Sequence, residues 1–230
     1  MDPDAGPFGW VDRFAELVAG DPQQVPLDQA ALALAAVLRP KVEADAALAT
    51  LERLADDCPA PTFDGLRRHL FDVLHFAGDL RRYDDPHNSF LDVVLTSRQG
   101  LPILLATVMI EVGRRIGVPV VGVGMPMHFL VGDGDDEDRF VDPFTGIAMS
   151  RGDARQHFET IAAGRISWDD HHLDSTPARQ IVVRMLANLQ GSYVRRGDRV
   201  RLALVARMRA AVPELADERP IAVRLSGVFN

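Results

Sequence analysis

The strongest constraint in this chain is the run LPILLATVMI over residues 101–110, which is apolar on every face apart from Thr107. A surface helix carries an apolar stripe and a polar face, whereas a helix that is apolar all round has to be wrapped by other elements. The run reads as the first part of a helix from Pro102 to Ile116. Proline suits the first helical position because the N–H it lacks has no intrahelical partner there, and Gly117 supplies the stop. A membrane-spanning helix needs ~20 apolar residues, more than this run or the stretch 120–130 offers, the latter being interrupted by His128. The chain therefore has to build its fold around a buried central helix.

The rest of the sequence supplies the wrapping. A length of 230 residues, 47% hydrophobic and 25% charged, matches ordinary globular usage and allows one domain of about 150 residues with a smaller appendage, or one larger unit. Residues 1–26, rich in Pro, Gly and Asp, read as a peripheral segment with a short helix over 10–18. Asp28 is expected to cap a helix ending at Leu38, and a second helix spans 43–56. A third is expected over 64–77, with Leu66, Leu70, Phe71 and Leu74 at helical spacing and Gly78 as its stop. The polar segment 79–88 reads as a loop because Asp85 precedes Pro86. Ser89 is placed to cap a short helix through Leu95. After Pro119 the pattern changes to strands over 120–124, 128–131 and 139–144, with the acidic stretch 132–138 as a hairpin connection. A helix over 153–163 and a polar connector over 167–176 follow. Two helices, 177–196 and 199–212, are joined where Gly197 ends one and Asp198 caps the next, and a last short helix is expected over 221–225. The class is α+β.

Charge and motif content narrow the function. A net charge of −8, from 25 Lys and Arg against 33 Asp and Glu, gives no global attraction toward nucleic acid or an anionic membrane surface. The acidic start Met1-Asp2-Pro3-Asp4 has no basic and then apolar leader, so a cytoplasmic location is expected. Cys58 is the one cysteine, so it has no internal disulfide partner, and it lies in a loop outside every motif. The connector 169–174 has metal-ligand residue types, but adjacent His171 and His172 lack the spacing that turns two imidazoles onto one ion. The hairpin 133–138 lacks a calcium loop's terminal glutamate, and Gly122-x-Gly124 lacks the third glycine of a dinucleotide fingerprint. Neither a metal nor a cofactor is expected.

One constellation can carry chemistry. An antiparallel register centred on Asp135 sets His128 opposite Asp142 and Leu130 opposite Phe140, with all four side chains on one face. A carboxylate beside an imidazole fixes its tautomer and stabilises its cation, which is the base and orienter half of a nucleophilic site. A helix N-terminus supplies what completes such a site, since its N–H groups and dipole lower a thiol's pKa and bind an oxyanion. The central helix, beginning at Pro102, offers that end.

The motifs Asn88-Ser89-Phe90-Leu91, Arg98-Gln99-Gly100-Leu101-Pro102, Pro126-Met127-His128-Phe129-Leu130 and Asp142-Pro143-Phe144, in this order, resemble the transglutaminase-like core of the bacterial Sir-B invasion-regulator family over roughly residues 27–164. That likeness implies a papain-like core of a buried helix on an antiparallel sheet, here over 27–165. In the wider superfamily the helix start carries Gly-x-Cys, with His and Asp on succeeding strands. By resemblance His128 is the counterpart of the base and Asp142 of its orienting acid, while Pro102 stands at the nucleophile position. A proline ring has no thiol, hydroxyl or amine, so ordinary transglutaminase or thiol-protease chemistry is expected to be absent. The Sir-B branch resembles this chain in having proline there. It usually has glycine where Met127 stands, and Gly-Asn where this chain has Gly78-Asp79. The helices over 177–230 resemble that branch's tetratricopeptide-like tail in shortened form, which implies an interaction surface.

Two functions follow as expectations. One is a non-enzymatic protein that binds a protein or peptide through the cleft or the C-terminal helices, with Asn88 and Arg98 as binding residues. Arg98 is read either as a clamp for a carboxylate or phosphate, or as a partner of Asp92 or a loop acid. The other is a hydrolase or amidase in which His128 and Asp142 activate Ser89 or a water. Capping remains the simpler role for Ser89.

Overall fold

A computed structural model describes residues 6–220 and 222; apart from Ala222, the short helix expected over 221–225 lies outside the described residues. Helix α1, Pro7–Val18, starts on proline and buries Trp10, Phe14 and Val18 at helical spacing. Helix α2, Leu27–Leu38, is buried along most of its length, and α3, Ala44–Asp56, buries Ala47 and Leu51. Asp28 is not the cap of α2, because Pro26 holds that position and Asp28 sits in the first turn, where its carboxylate meets Arg115 at 2.6 Å.

Helix α4, Phe63–Arg67, is capped by the Thr62 hydroxyl and runs on as a π-helical segment, Arg68–Val73. The helix expected to reach residue 77 therefore stops early, and His75 turns the chain at φ 59°. Gly78 does not end a helix. It lies in the two-residue strand β1, Ala77–Gly78, and a Cβ there would come within 2.1 Å of the Phe144 ring. Its reason is a close approach by a distant residue rather than a local backbone need. A 3-10 turn, Pro86–Ser89, is capped by Asp85 and leads into α5, Leu91–Ser97, and then β2, Gln99–Gly100, which pairs parallel with β1.

Helix α6, Pro102–Ile116, begins on proline and ends at Gly117 with φ 73°, as its sequence dictates. From Pro102 to Gly113 every residue but Ile110 is buried. Four strands follow in antiparallel order: β3, Val120–Val123; β4, Leu130–Asp133; β5, Asp136–Asp142; and β6, Ile147–Ser150. The strand β6 is an addition to the three expected. Helix α7, Arg151–Ala162, opens on a capping box of Ser150 and Asp153. A 3-10 turn, Asp170–Leu173, precedes α8, Ala178–Arg196, and α9, Arg199–Ala211, which are joined at Gly197 and capped by Asp198.

The observed register differs from the expected one. Val131 faces Val141 and Gly132 faces Phe140, with an irregularity between Gly132 and Asp133. Leu130 is therefore not opposite Phe140, and the pairing is displaced by two residues. A slip of one residue would have turned every side chain over, whereas a slip of two preserves the faces. Val131 and Val141 pack in the main core with α6, while Leu130 and Phe140 pack with Ala154 and Phe158 of α7. The sheet is thus covered by helix on both sides, and His128 and Asp142 share the alternation of the α7 side.

The main core is continuous from end to end of the described chain. Phe14, Leu32, Leu51, Leu91, Leu104, Leu186 and Val205, drawn from α1, α2, α3, α5, α6, α8 and α9, belong to one buried cluster. The segment expected to be peripheral contributes Trp10, Phe14 and Val18 to it, and the two C-terminal helices contribute Met185, Leu189 and Met208. Among the described residues no helix is long and apolar enough to cross a membrane.

Candidate functional site

Three structural elements meet at the start of α6. The loop from β3 to β4 turns at Met127, whose φ is 66°, and places His128 just before β4 rather than within it. Arg184 of α8 pins that loop by donating to the carbonyls of Gly124, Met125 (3.0 Å) and His128 (2.9 Å). Its guanidinium is buried against the Phe129 ring, 5.3 Å from the ring centre, and burial pushes its pKa down. All three of these acceptors are carbonyls, so Arg184 brings a positive charge to a cleft that Asp84 and Asp85 also line. Arg195, one helical stretch on, meets Asp84 at 3.2 Å at the rim.

His128 and Asp142 meet in a direct contact. His128 Nε2 and Asp142 Oδ1 are 2.9 Å apart, and Asp142 is 2% exposed. The same carboxylate accepts from the Phe144 N–H at 2.9 Å and, through Oδ2, from the Thr145 hydroxyl at 2.9 Å. Burial pushes the Asp142 pKa up, but the hydrogen bond and charge of His128, with the Phe144 and Thr145 donors, outweigh it and hold the carboxyl below its ordinary value. A depressed folded-state pKa stabilises the fold above the unfolded value of about 3.9, and that contribution is lost as pH falls through the folded value. Thr145→Val removes one donor and raises the folded pKa. The acid-unfolding midpoint of this variant, followed by circular dichroism, is expected to move to higher pH than that of the wild type. An unmoved midpoint would show that the hydroxyl does not support the carboxylate.

A cleft of about 480 Å³ opens beside this pair, walled by Ser89, Leu101, Pro102, Met127, His128 and Arg184. Pro102 and His128 thus face one cavity, as the sequence reading requires. Ser89 is buried but reaches the cleft, and it is not the cap of α5: Phe90 holds that position with no side-chain bond. The 3-10 turn begun by Asp85 moves the helix start on by one residue, which leaves the Ser89 hydroxyl without a capping role.

The two expected binding residues do not line the cleft. Asn88 donates to the Arg82 carbonyl at 2.7 Å, and its own carbonyl accepts from the Leu101 N–H at 3.0 Å, so it ties the preceding loop to the head of α6. Arg98, with φ 58°, donates to the Leu74 carbonyl at 3.0 Å and closes the π-helical segment. Its suggested partner Asp92 is held by Arg39 at 2.9 Å. Cys58 follows α3 with its Sγ 3.6 Å from the Ala60 carbonyl, away from the cleft walls. Asp169 and His172 form the capping box of the 3-10 turn, and exposed His171 pairs with Asp174 at 2.9 Å.

Sequence reasoning missed His157. Its ring lies 4.9 Å from that of His128, centre to centre, at 61°. Burial above all, and the charge of His128 after it, push its pKa down. The signal was present in α7, where Ala154, Phe158 and Ala162 mark the inward face and His157 sits between the first two. A histidine on that face meets whatever the neighbouring strands present, which here is the dyad.

A buried helix whose head faces a His–Asp pair across a cleft, on a sheet of antiparallel strands, is the arrangement of the transglutaminase-like superfamily, and the chain belongs to that superfamily, whose profile matches residues 28–187. It is 36% identical over 171 residues to a UPF0162 protein of Xylella fastidiosa (strain 9a5c), an alignment covering 71% of this chain and 59% of that protein. A UPF0162 protein of Vibrio cholerae is 27% identical over 189 residues, 77% of this chain and 70% of its own length. A shorter stretch of 68 residues, 30% of the chain, is 34% identical to human F-box only protein 21, of which it covers 11%. The chain thus spans about 59% of the Xylella relative's length. No solved structure matches it.

Proposed function

We propose that this protein is a cytoplasmic, non-catalytic member of the superfamily, of the Sir-B type, that binds a peptide or protein segment in the cleft beside Pro102. The observation that carries the reading is the proline at the first position of α6 in a cavity it shares with His128. Every nucleophile that works with an imidazole base needs an ionisable or hydroxylic group at the attacking position, and proline offers none. The binding apparatus remains. The cleft is open, it is lined on one side by α8, and Arg184, apart from the Arg195–Asp84 pair and Asp85 on the same lining, adds a positive group suited to an acidic side chain or a terminal carboxylate. The tetratricopeptide-like character of the C-terminal helices fits this role, because α8 is at once part of that helical pair and a wall of the cleft.

The test is direct binding to an immobilised peptide library by the wild type and by Asn188→Trp, a substitution at an exposed position of α8 on the cleft wall. Acidic peptides bound by the wild type are expected to be lost on the variant, with folding unchanged by circular dichroism. Peptides held equally by both proteins would place binding elsewhere and defeat the reading.

The alternative is a hydrolase or amidase that uses His128 and Asp142 with Ser89 or a water. It is favoured by one observation, that Ser89 lines the cleft and is not the cap of α5. Amide hydrolysis that disappears in Ser89→Ala as well as in His128→Ala would establish it.

A further inference from the structure

We propose that His128, Asp142 and His157 form a binding site for a divalent first-row transition ion, Zn2+ above all. The inference rests on the geometry of these three side chains and not on the peptide-binding reading. They come from three separate elements, the turn before β4, the end of β5 and the middle of α7, and one ligand atom from each lies within 4.8 Å of the other two.

The first two are close to the spacing of neighbouring ligands. Two ligand atoms each about 2.0–2.2 Å from an ion, and at the tetrahedral angle zinc prefers, lie ~3.4 Å apart, so the pair has to open by about half an ångström. His128 Nε2 and Asp142 Oδ1 are separated by 2.9 Å. Without an ion, a proton holds that pair together; a cation takes the same place when the imidazole is neutral and the carboxylate charged.

His157 supplies the independent observation. Its Nε2 is buried and makes no hydrogen bond among the described residues. A buried polar atom without a partner is unfavourable, and native structures provide partners for nearly all such atoms. Moving the ring toward an ion by about 1 Å, enough to bring the third ligand within bonding range, breaks no hydrogen bond of that nitrogen among the described residues. The surroundings also suit a metal. The carboxylate is oriented by the Phe144 N–H and the Thr145 hydroxyl, which is the outer support that ligating carboxylates have. Two imidazoles and one carboxylate select Zn2+, Fe2+, Co2+ or Mn2+ over Ca2+ and Mg2+, which prefer oxygen throughout. One negative charge against a dication leaves the site short of one or more ligands, and His128 lines the open cleft from which water would complete it.

The experiment uses the full chain, stripped with EDTA and titrated with Zn2+ by calorimetry and with Co2+ by visible absorbance. One equivalent of each ion is expected to bind, with Co2+ giving ligand-field bands. Loss of an outer-shell partner alone weakens a metal by about 10–100-fold, so Thr145→Val is expected in that range and loss of His157 at ~100-fold or more. His157→Gln accompanies His157→Ala so that a folded variant is available, and His171→Ala with His172→Ala is expected to leave binding intact. Saturable binding that is equal in His157→Gln and the wild type, binding that disappears with His171 and His172, or no saturable binding at all would overturn the site. None of these outcomes would bear on whether peptides occupy the cleft.

Discussion

Arg115→Ala is expected to lower stability by about 3–5 kcal/mol, because it leaves two buried carboxylates facing each other with their shared cation removed. The Arg115 side chain is 8% exposed and contacts Asp28 at 2.6 Å, Glu111 at 2.7 Å and Glu52 at 2.8 Å. Asp28 and Glu111 are themselves buried, and burial first, then the charge of Asp28, push the Glu111 carboxyl up even with Arg115 in place. Arg114 replaces it only in part: its Nε donates to Glu111 at 2.9 Å, but its guanidinium is largely exposed and reaches Asp28 only at 3.6 Å. The network ties the first turn of α2 to the last turns of α6, so its loss loosens the helix on which the site depends. Urea unfolding at neutral pH measures the difference, which is expected to shrink in acid as the carboxylates take up protons. For a chain of this size such a loss lowers Tm by roughly 10 °C. A change below about 1 kcal/mol would mean that the ion cluster is solvated rather than buried.

Much of the site was legible in the sequence because its determinants are local. Pro102 and Gly117 mark the ends of α6, and the apolar run between them requires burial. Alternation along the strands put His128 and Asp142 on one face, and that conclusion survived a register displaced by two residues. Gly197 and Asp198 likewise signalled the joint between α8 and α9.

What was not legible depends on contacts far apart in the chain. Gly78 looks like a helix stop until Phe144 is brought against it. Arg184 is an ordinary helical arginine in sequence, and only the fold turns it onto the loop that carries His128. Asp28 reads as a cap because its partner Arg115 lies on another helix. Ser89 was misplaced by a single residue, since the 3-10 turn capped by Asp85 precedes the helix and shifts its start. His157 needed the packing of α7 on the sheet, which neither element announces alone.

Under the proposed reading Pro102 stands at the attacking position, at the head of α6 and in the same cleft as His128. Pro102→Cys places a thiol at the first position of a 15-residue helix. Thiols at helix N-termini and beside an imidazolium ionise below the ordinary value of about 8.5 and react faster at neutral pH. The substitution suits the backbone, because a residue at this position needs no intrahelical acceptor for its N–H. The measurement is the rate of alkylation by iodoacetamide against pH, in a Cys58→Ser background so that one thiol is observed. The new thiol is expected to react about 10-fold faster at pH 7 than a free cysteine, and His128→Ala is expected to remove most of that gain. A thiol at residue 102 that reacts no faster than free cysteine, or whose rate is indifferent to His128, would contradict the account.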